Sequence, residues 1–163
     1  MKRAYLSLGS NRGDRIDAIR KAVELLRASG VQVIRISSFY RTEPVDFTPQ
    51  AWFVNCVTEI QTDHMPLKLL HACKAVERAL GRRPGVAKGP RVIDVDILLY
   101  EDFVIRSYEL TVPHPAAHLR RFVLIPLREI APGLRHPVTG QSVLEMLHDT
   151  SDRSQVVKLK TPS

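Results

Sequence analysis

Two carboxylates, two positions apart on a β-branched stretch, are the first residues that could do chemistry. They lie in Gly89-Pro90-Arg91-Val92-Ile93-Asp94-Val95-Asp96-Ile97-Leu98-Leu99-Tyr100. Val92, Ile93, Val95 and Ile97 favour a strand, and Gly89-Pro90 signals a turn before it. Successive side chains of a strand point to opposite faces, so Asp94 and Asp96 share one face and Ile93, Val95 and Ile97 the other. Two like charges ~4 Å apart repel by about 1 kcal/mol in water and about 4 kcal/mol at a half-buried site. A cation between them removes that cost. A small set of oxygen ligands suits Mg²⁺, which keeps positions open for water and phosphate. Taken alone, an Asp-x-Asp pair is more often the solvent side of an edge strand. A site needs company from the rest of the chain.

That company is present. The segment before the carboxylates, residues 82–91, holds Arg82, Arg83, Lys88 and Arg91 among Gly and Pro. It reads as a mobile positive loop. Cations and carboxylates around one opening are what a metal–triphosphate needs, with Arg91 placed to meet phosphate from the other side. Phe53 and Asn55 share a face of another strand, opposite Trp52, Val54 and Cys56. A ring beside an amide could recognise a flat heterocycle by stacking and paired hydrogen bonds; a core Phe with a rim Asn fits the pattern equally well. Glu77 falls on the apolar side of a helix, either as a snorkelling acid or aimed into a site. Gly9-Ser10-Asn11-Arg12-Gly13-Asp14 links a strand to a helix and could cradle a phosphate, or be a simple tight turn. It matches neither the dinucleotide-binding fingerprint nor the P-loop. His114 and His118 have zinc-helix spacing, but Pro115 replaces the required Glu, so a zinc protease site is rejected.

The elements that must position these residues follow from periodicity. Residues 2–9 alternate as a first strand, and Asp14 can cap a helix through Ile16, Ile19, Val23 and Leu26 that ends at Gly30. Residues 31–41 read as a second strand. Residues 42–50, with two prolines, form a loop long enough to act as a lid. A third strand is expected at about 51–61. A second helix starts near Pro66, with Leu69, Leu70, Cys73, Val76 and Leu80 inward and Gly81 at its end. The Asp94/Asp96 strand is the fourth. Beyond it come a short hairpin or edge segment at 101–110, an extended Thr111–Pro115, a short buried helix over 123–130 and a last one over 141–147. The tail from Asp149 is polar and reads as loose. The order β-α-β-β-α-β predicts an α+β, ferredoxin-like fold, an antiparallel sheet with helices on one face plus short C-terminal elements.

Composition narrows the function. With 163 residues the chain reads as one domain, 1–163, with a sizeable core. At 44% hydrophobic and 25% charged it is an ordinary globular protein, and the +7 net charge suits an anionic ligand. No apolar run is long enough to cross a bilayer, and the N-terminus reads as a strand rather than a signal peptide. Cys56 and Cys73 have no metal-like spacing and read as buried free thiols in a reducing, cytoplasmic setting.

The motifs go further. The chain resembles the 6-hydroxymethyl-7,8-dihydropterin pyrophosphokinases, a family of folate synthesis. The likeness is carried by Leu8-Gly9-Ser10-Asn11 with Gly13-Asp14 and by Ser38-Phe39-Tyr40-Arg41-Thr42-Glu43-Pro44. It continues in Phe53-Val54-Asn55, Glu77, Gly81-Arg82, the Gly89–Leu98 stretch, Val112-Pro113-His114-Pro115 and Arg120 to Leu127. It runs from about residue 3 to residue 132. The resemblance implies pyrophosphate transfer from MgATP, as co-substrate, to the pterin's hydroxymethyl oxygen with release of AMP. By motif position, Asp94 and Asp96 hold two Mg²⁺ ions, and Arg82 and Arg91 clamp the phosphates and stabilise developing charge. Glu77, Ile97, Thr111, His114 and Arg120 match ATP-side positions. Thr42, Pro44, Phe53, Asn55 and Phe122 match the pterin pocket, with Phe53 and Phe122 as stacking rings. No general base is implied. Ala87 and Lys88 stand where the family usually has Arg and Trp, so loop closure is expected to depend on Arg83 or Lys88.

The resemblance also implies small-molecule partners, ATP and the pterin alcohol, with neither nucleic acid nor membrane. The alternative is a non-catalytic nucleotide or single-stranded nucleic-acid binding module. It accounts for the charge but lacks the aromatic RNA-binding motif, and it leaves Asp94 and Asp96 unexplained.

Overall fold

The computed structural model describes residues 1–45, 49–81 and 92–160. Its elements in order are β1 (Lys2–Ser10), α1 (Arg15–Ala28), β2 (Val31–Ile36), β3 (Tyr40–Thr42), β4 (Phe53–Thr62), α2 (Pro66–Ala79) and β5 (Asp94–Tyr100). A small hairpin follows, β6 (Ile105–Arg106) with β7 (Thr111–Val112). Then come a 3-10 turn (Ala117–Leu119), α3 (Arg121–Ile130), α4 (Val143–Asp149) and β8 (Val156–Lys158).

The main sheet is antiparallel, in the order β5-β1-β4, with β2 and β3 sharing the far edge of β4 and β8 adding to β3. β1 lies between β5 and β4 and is buried from Ala4 to Ser10. Ala4, Leu6 and Leu8 pack against α1 and α2, through Ile19, Val23, Leu26, Leu69, Cys73 and Val76. Tyr5 turns the other way, with Val57, Leu98 and Leu99, against α3 and α4. Helices therefore cover both faces, which corrects the one-face expectation. An apolar row on the second face has to be buried, and Val123, Leu124, Leu127, Val143 and Met146 bury it.

Local signals hold where they were strong. The Asp14 carboxylate accepts from the Asp17 amide at 3.0 Å and caps α1, and Gly30 follows that helix at φ 85°. Pro66 opens α2. The expected strand 31–41 is broken instead between β2 and β3. The Ser37 hydroxyl accepts from the Val57 amide at 2.9 Å, and the Ser38 amide leaves the ladder for the Glu129 carboxylate on α3. The tail is not loose, since β8 extends the sheet beside β3. An edge strand offers unpaired amides and carbonyls, and the tail satisfies them. No helix among the described residues is long and apolar enough to cross a membrane.

Candidate active site

Among the described residues, helices cover only half of the second sheet face. α3 and α4 lie over Tyr5, Val57 and Leu98, while the neighbouring half of the same face carries Ser7, Gly9, Asn55, Asp94 and Asp96. These five form the floor of an open cavity of about 200 Å³. Its walls are Thr42 to Val45, Gln50 and Phe53 on one side, and His114, Arg120, Phe122 and Val123 on the other.

Register explains the floor. Gly9 pairs with Asn55 on β4 and with Asp94 on β5, and Ser7 pairs with Val57 and Asp96. Directly paired residues project to the same face, so amide and carboxylate stand on either side of a residue with no side chain. A Cβ at Gly9 would fall 2.2 Å from Asn55 Oδ1, so glycine makes the room that Asn55 occupies. Asn55 is buried, and its Nδ2 donates to Thr42 Oγ1 at 2.5 Å. That bond fixes which edge of the amide the cavity meets.

Asp94 is half-buried and Asp96 exposed, both on the cavity face, while Val95 and Ile97 point into the core. The alternation inferred from the sequence holds. Glu77, on α2, is buried, and its Oε2 accepts from the Val95 amide at 2.9 Å. It thus braces the outer edge of β5 between the two aspartates. No group of three or more His, Cys, Asp or Glu with metal-ligand geometry occurs among the described residues. Two hard carboxylate donors fit Mg²⁺ that takes its remaining ligands from water and phosphate, rather than an all-protein cage.

His114 follows the cis Val112-Pro113 bond. Burial first, and the nearby Arg120 cation second, hold its pKa below the usual histidine value. Its Nδ1 accepts from the Ala116 amide at 3.1 Å, which is how the neutral ring is used.

Of the expected residues, Thr42, Pro44, Phe53, Asn55, Asp94, Asp96, His114, Arg120 and Phe122 line one cavity. Glu77, Ile97 and Thr111 do not line it. Ile97 packs into the core on the opposite face, and Thr111 is exposed on β7. Arg82, Arg91 and the Ala87–Lys88 departures lie outside the described residues. The Gly9–Asp14 turn leads into α1, where the Asp14 carboxylate accepts from the Asp17 amide as the helix cap. Sequence reasoning missed Ser7 and Gln50. Ser7 had a usable signal, its place on the same strand face as Gly9. Gln50 had none, since its role depends on Asn11 Nδ2, which donates to Gln50 Oε1 at 2.7 Å across 39 residues.

The family described as 7,8-dihydro-6-hydroxymethylpterin-pyrophosphokinase matches residues 5–132. The 2-amino-4-hydroxy-6-hydroxymethyldihydropteridine pyrophosphokinase of Methylorubrum extorquens is 45% identical over 148 residues, 90% of this chain and 92% of that protein. The protein of the same name from Aquifex aeolicus is 44% identical over 145 residues, 89% of this chain and 90% of that one. The folic acid synthesis protein fol1 of Schizosaccharomyces pombe is 45% identical over 147 residues, but these span only 20% of its length. The Plasmodium falciparum HPPK-DHPS crystal structure superposes with a TM-score of 0.73 at 17% identity, over 90% of this chain and 40% of that one. At that identity the likeness bears on fold alone.

Proposed function

The chain belongs to the 7,8-dihydro-6-hydroxymethylpterin-pyrophosphokinase family of folate biosynthesis, and we propose that it transfers pyrophosphate from MgATP to the pterin's hydroxymethyl oxygen. The new bond joins that oxygen to the β-phosphorus. The bond from the β-phosphorus to the bridging oxygen of the α-phosphate breaks, AMP leaves with that oxygen, and the hydroxyl proton goes to solvent.

The observation that carries this reading is the row Asn55–Gly9–Asp94. A buried amide fit to read a heterocycle edge and a carboxylate fit to hold a hard cation stand on the two strands that flank β1, with Gly9 between them leaving the room that the Asn55 amide fills. A pterin lying on Asn55 and Thr42, between Phe53 and Phe122, would present its hydroxymethyl arm toward Asp94 and Asp96. Those two residues would hold two Mg²⁺ ions, whose chemistry is to neutralise the triphosphate and stabilise the charge of the transfer. Arg120 and neutral His114 stand on the same wall for the nucleotide. Arg82 and Arg91 are assigned to the phosphates by motif position, and Glu77, Ile97 and Thr111 to the ATP side in the same way. For Glu77 the supporting contact is its hold on the Val95 amide; for Ile97 only its backbone can face the site.

Residues 1–163 are read as one pyrophosphokinase domain of ferredoxin-like topology, since both core clusters share one sheet in the order β5-β1-β4-β2. A cytoplasmic setting is supported by Cys56 and Cys73, free thiols whose burial pushes both up to about 12. A single-stranded nucleic-acid platform would need a wide open sheet face, and α3 and α4 cover half of the second face. The deciding experiment is product analysis with MgATP and 6-hydroxymethyl-7,8-dihydropterin. AMP and a diphosphorylated pterin are expected. ADP, or no turnover, overturns the reading.

A further inference from the structure

The family match ends at residue 132, yet the chain after it returns to α3 and β3, the elements that wall the cavity. α3 carries Phe122 and Val123 into the cavity wall, but Arg120, at the position that should cap this helix, makes no side-chain cap bond. The acceptor comes from 31 residues away, where Asp152 Oδ2 takes the Arg121 amide at 2.9 Å. Asp152 is itself held by the Ser154 amide and hydroxyl on Oδ1, at 2.9 and 2.6 Å. Arg121 Nε donates to the Ser154 carbonyl at 3.0 Å, and the Thr150 hydroxyl donates to the Leu119 carbonyl at 2.6 Å.

The same segment then crosses to the opposite wall. The Glu43 amide donates to the Gln155 carbonyl at 3.0 Å, and Val156, Val157 and Lys158 pair with Thr42, Arg41 and Tyr40. Within nine residues the tail grips the start of α3 and the whole of β3. These elements hold Phe122 on one side, and Thr42 with the following Pro44 on the other.

We propose that residues 150–158 are a brace that sets the width of the pterin pocket, with Asp152 as its positioning residue. The proposal rests on the assignment of the Phe122–Thr42 side of the cavity to the pterin. A carboxylate also suits the positive end of α3. Burial pushes the Asp152 carboxyl up, but the bonds from Ser154 and the Arg121 amide outweigh it and hold its pKa below the usual range. The acceptor is therefore ionised at neutral pH.

The test compares the full chain with Asp152→Ala and Asp152→Asn. Asn keeps one of the two acceptor oxygens and should fall between wild type and Ala. We expect the pterin KM of Asp152→Ala to rise about tenfold, the scale of a lost helix cap, while the ATP KM and kcat stay near wild type. A role in stability alone would lower the folded fraction, hence kcat, and leave KM unmoved. An unchanged pterin KM, or an equal rise in both KM values, overturns the proposal. Amide exchange decides it without activity. Faster exchange at Phe122, Val123, Thr42 and Glu43 in Asp152→Asn, with α1 and α2 unchanged, is expected; unchanged exchange at those four amides overturns it. A wild-type chain that forms no pterin diphosphate would sink the functional reading, and the exchange comparison would still judge the brace.

Discussion

Gly9 and Asn55 are a matched pair across β1 and β4, since a Cβ on Gly9 would sit 2.2 Å from Asn55 Oδ1. Gly9→Ala must therefore push the Asn55 amide off its bond to Thr42 Oγ1. The expected loss is about 1–3 kcal/mol of stability, the usual range for overpacking. Pterin affinity should fall with it, while ATP affinity holds. Calorimetric titration of each substrate into Gly9→Ala checks this. Wild-type pterin affinity in that variant would mean Asn55 does not read the heterocycle.

Asp96→Asn keeps the shape of β5 and removes one of two charges at the cavity mouth. Turnover should fall by about 10²-fold or more, the range for losing one charge-stabilising group. The fold should stay intact, because Asp96 is exposed and does not pack in the core. Removing divalent cations with a chelator should abolish turnover in both proteins. Steady-state rates beside a thermal melt separate chemistry from folding. Near-wild-type turnover would end the two-metal assignment.

How much of this was legible depended on the range of the contacts. Asp94 and Asp96 could be placed on one face from a two-residue period alone, and Asp14 could be read as a cap from its position before a periodic helix. Nothing local to Tyr5, Ser7 and Gly9 says that α3, more than 110 residues on, covers Tyr5 and stops short of Gly9. The break at Ser37–Phe39 was hidden for the same reason. It depends on a hydroxyl replacing a ladder partner and on Glu129 waiting across the face. The tail looked loose because its three-residue strand has meaning only beside the open edge of β3. Nine of the residues that the resemblance named line one cavity, but it could not show that Ile97 turns its side chain away.

Glu77 supports the aspartates from behind. Its Oε2 holds the Val95 amide on the outer edge of β5, where no further strand pairs among the described residues. Glu77→Ala leaves a buried amide without its acceptor, which costs about 1–3 kcal/mol. Val95 lies between Asp94 and Asp96, so turnover should fall as well. Glu77→Gln keeps an acceptor oxygen and should lose less of both. Urea unfolding and turnover on the two variants check this. An Ala variant equal to wild type in both would remove Glu77 from the site's support.

Tyr40 and Glu129 predict how stability depends on pH. Tyr40 Oη donates to Glu129 Oε1 at 2.6 Å, and the Ser38 hydroxyl donates to Oε2 at 2.9 Å. Burial would raise the Glu129 pKa, but the bonds from Tyr40 and Ser38 together outweigh it and hold it below the usual glutamate value. Burial first, and the bond to Glu129 second, push the Tyr40 phenol well above its ordinary value. A lowered carboxyl stabilises the fold above its unfolded pKa, and that stability is lost as pH falls through the folded value. A raised phenol does the reverse: its contribution is complete below the unfolded pKa and is lost as pH rises through the folded one. Glu129 is exposed, so solvent screening limits the pair, and Tyr40→Phe should cost about 1 kcal/mol near neutrality. The gap between variant and wild type should narrow below about pH 4 and above about pH 10. Urea midpoints measured across that range test it. A constant offset at every pH would show that Tyr40 contributes by packing and not through its bond to Glu129.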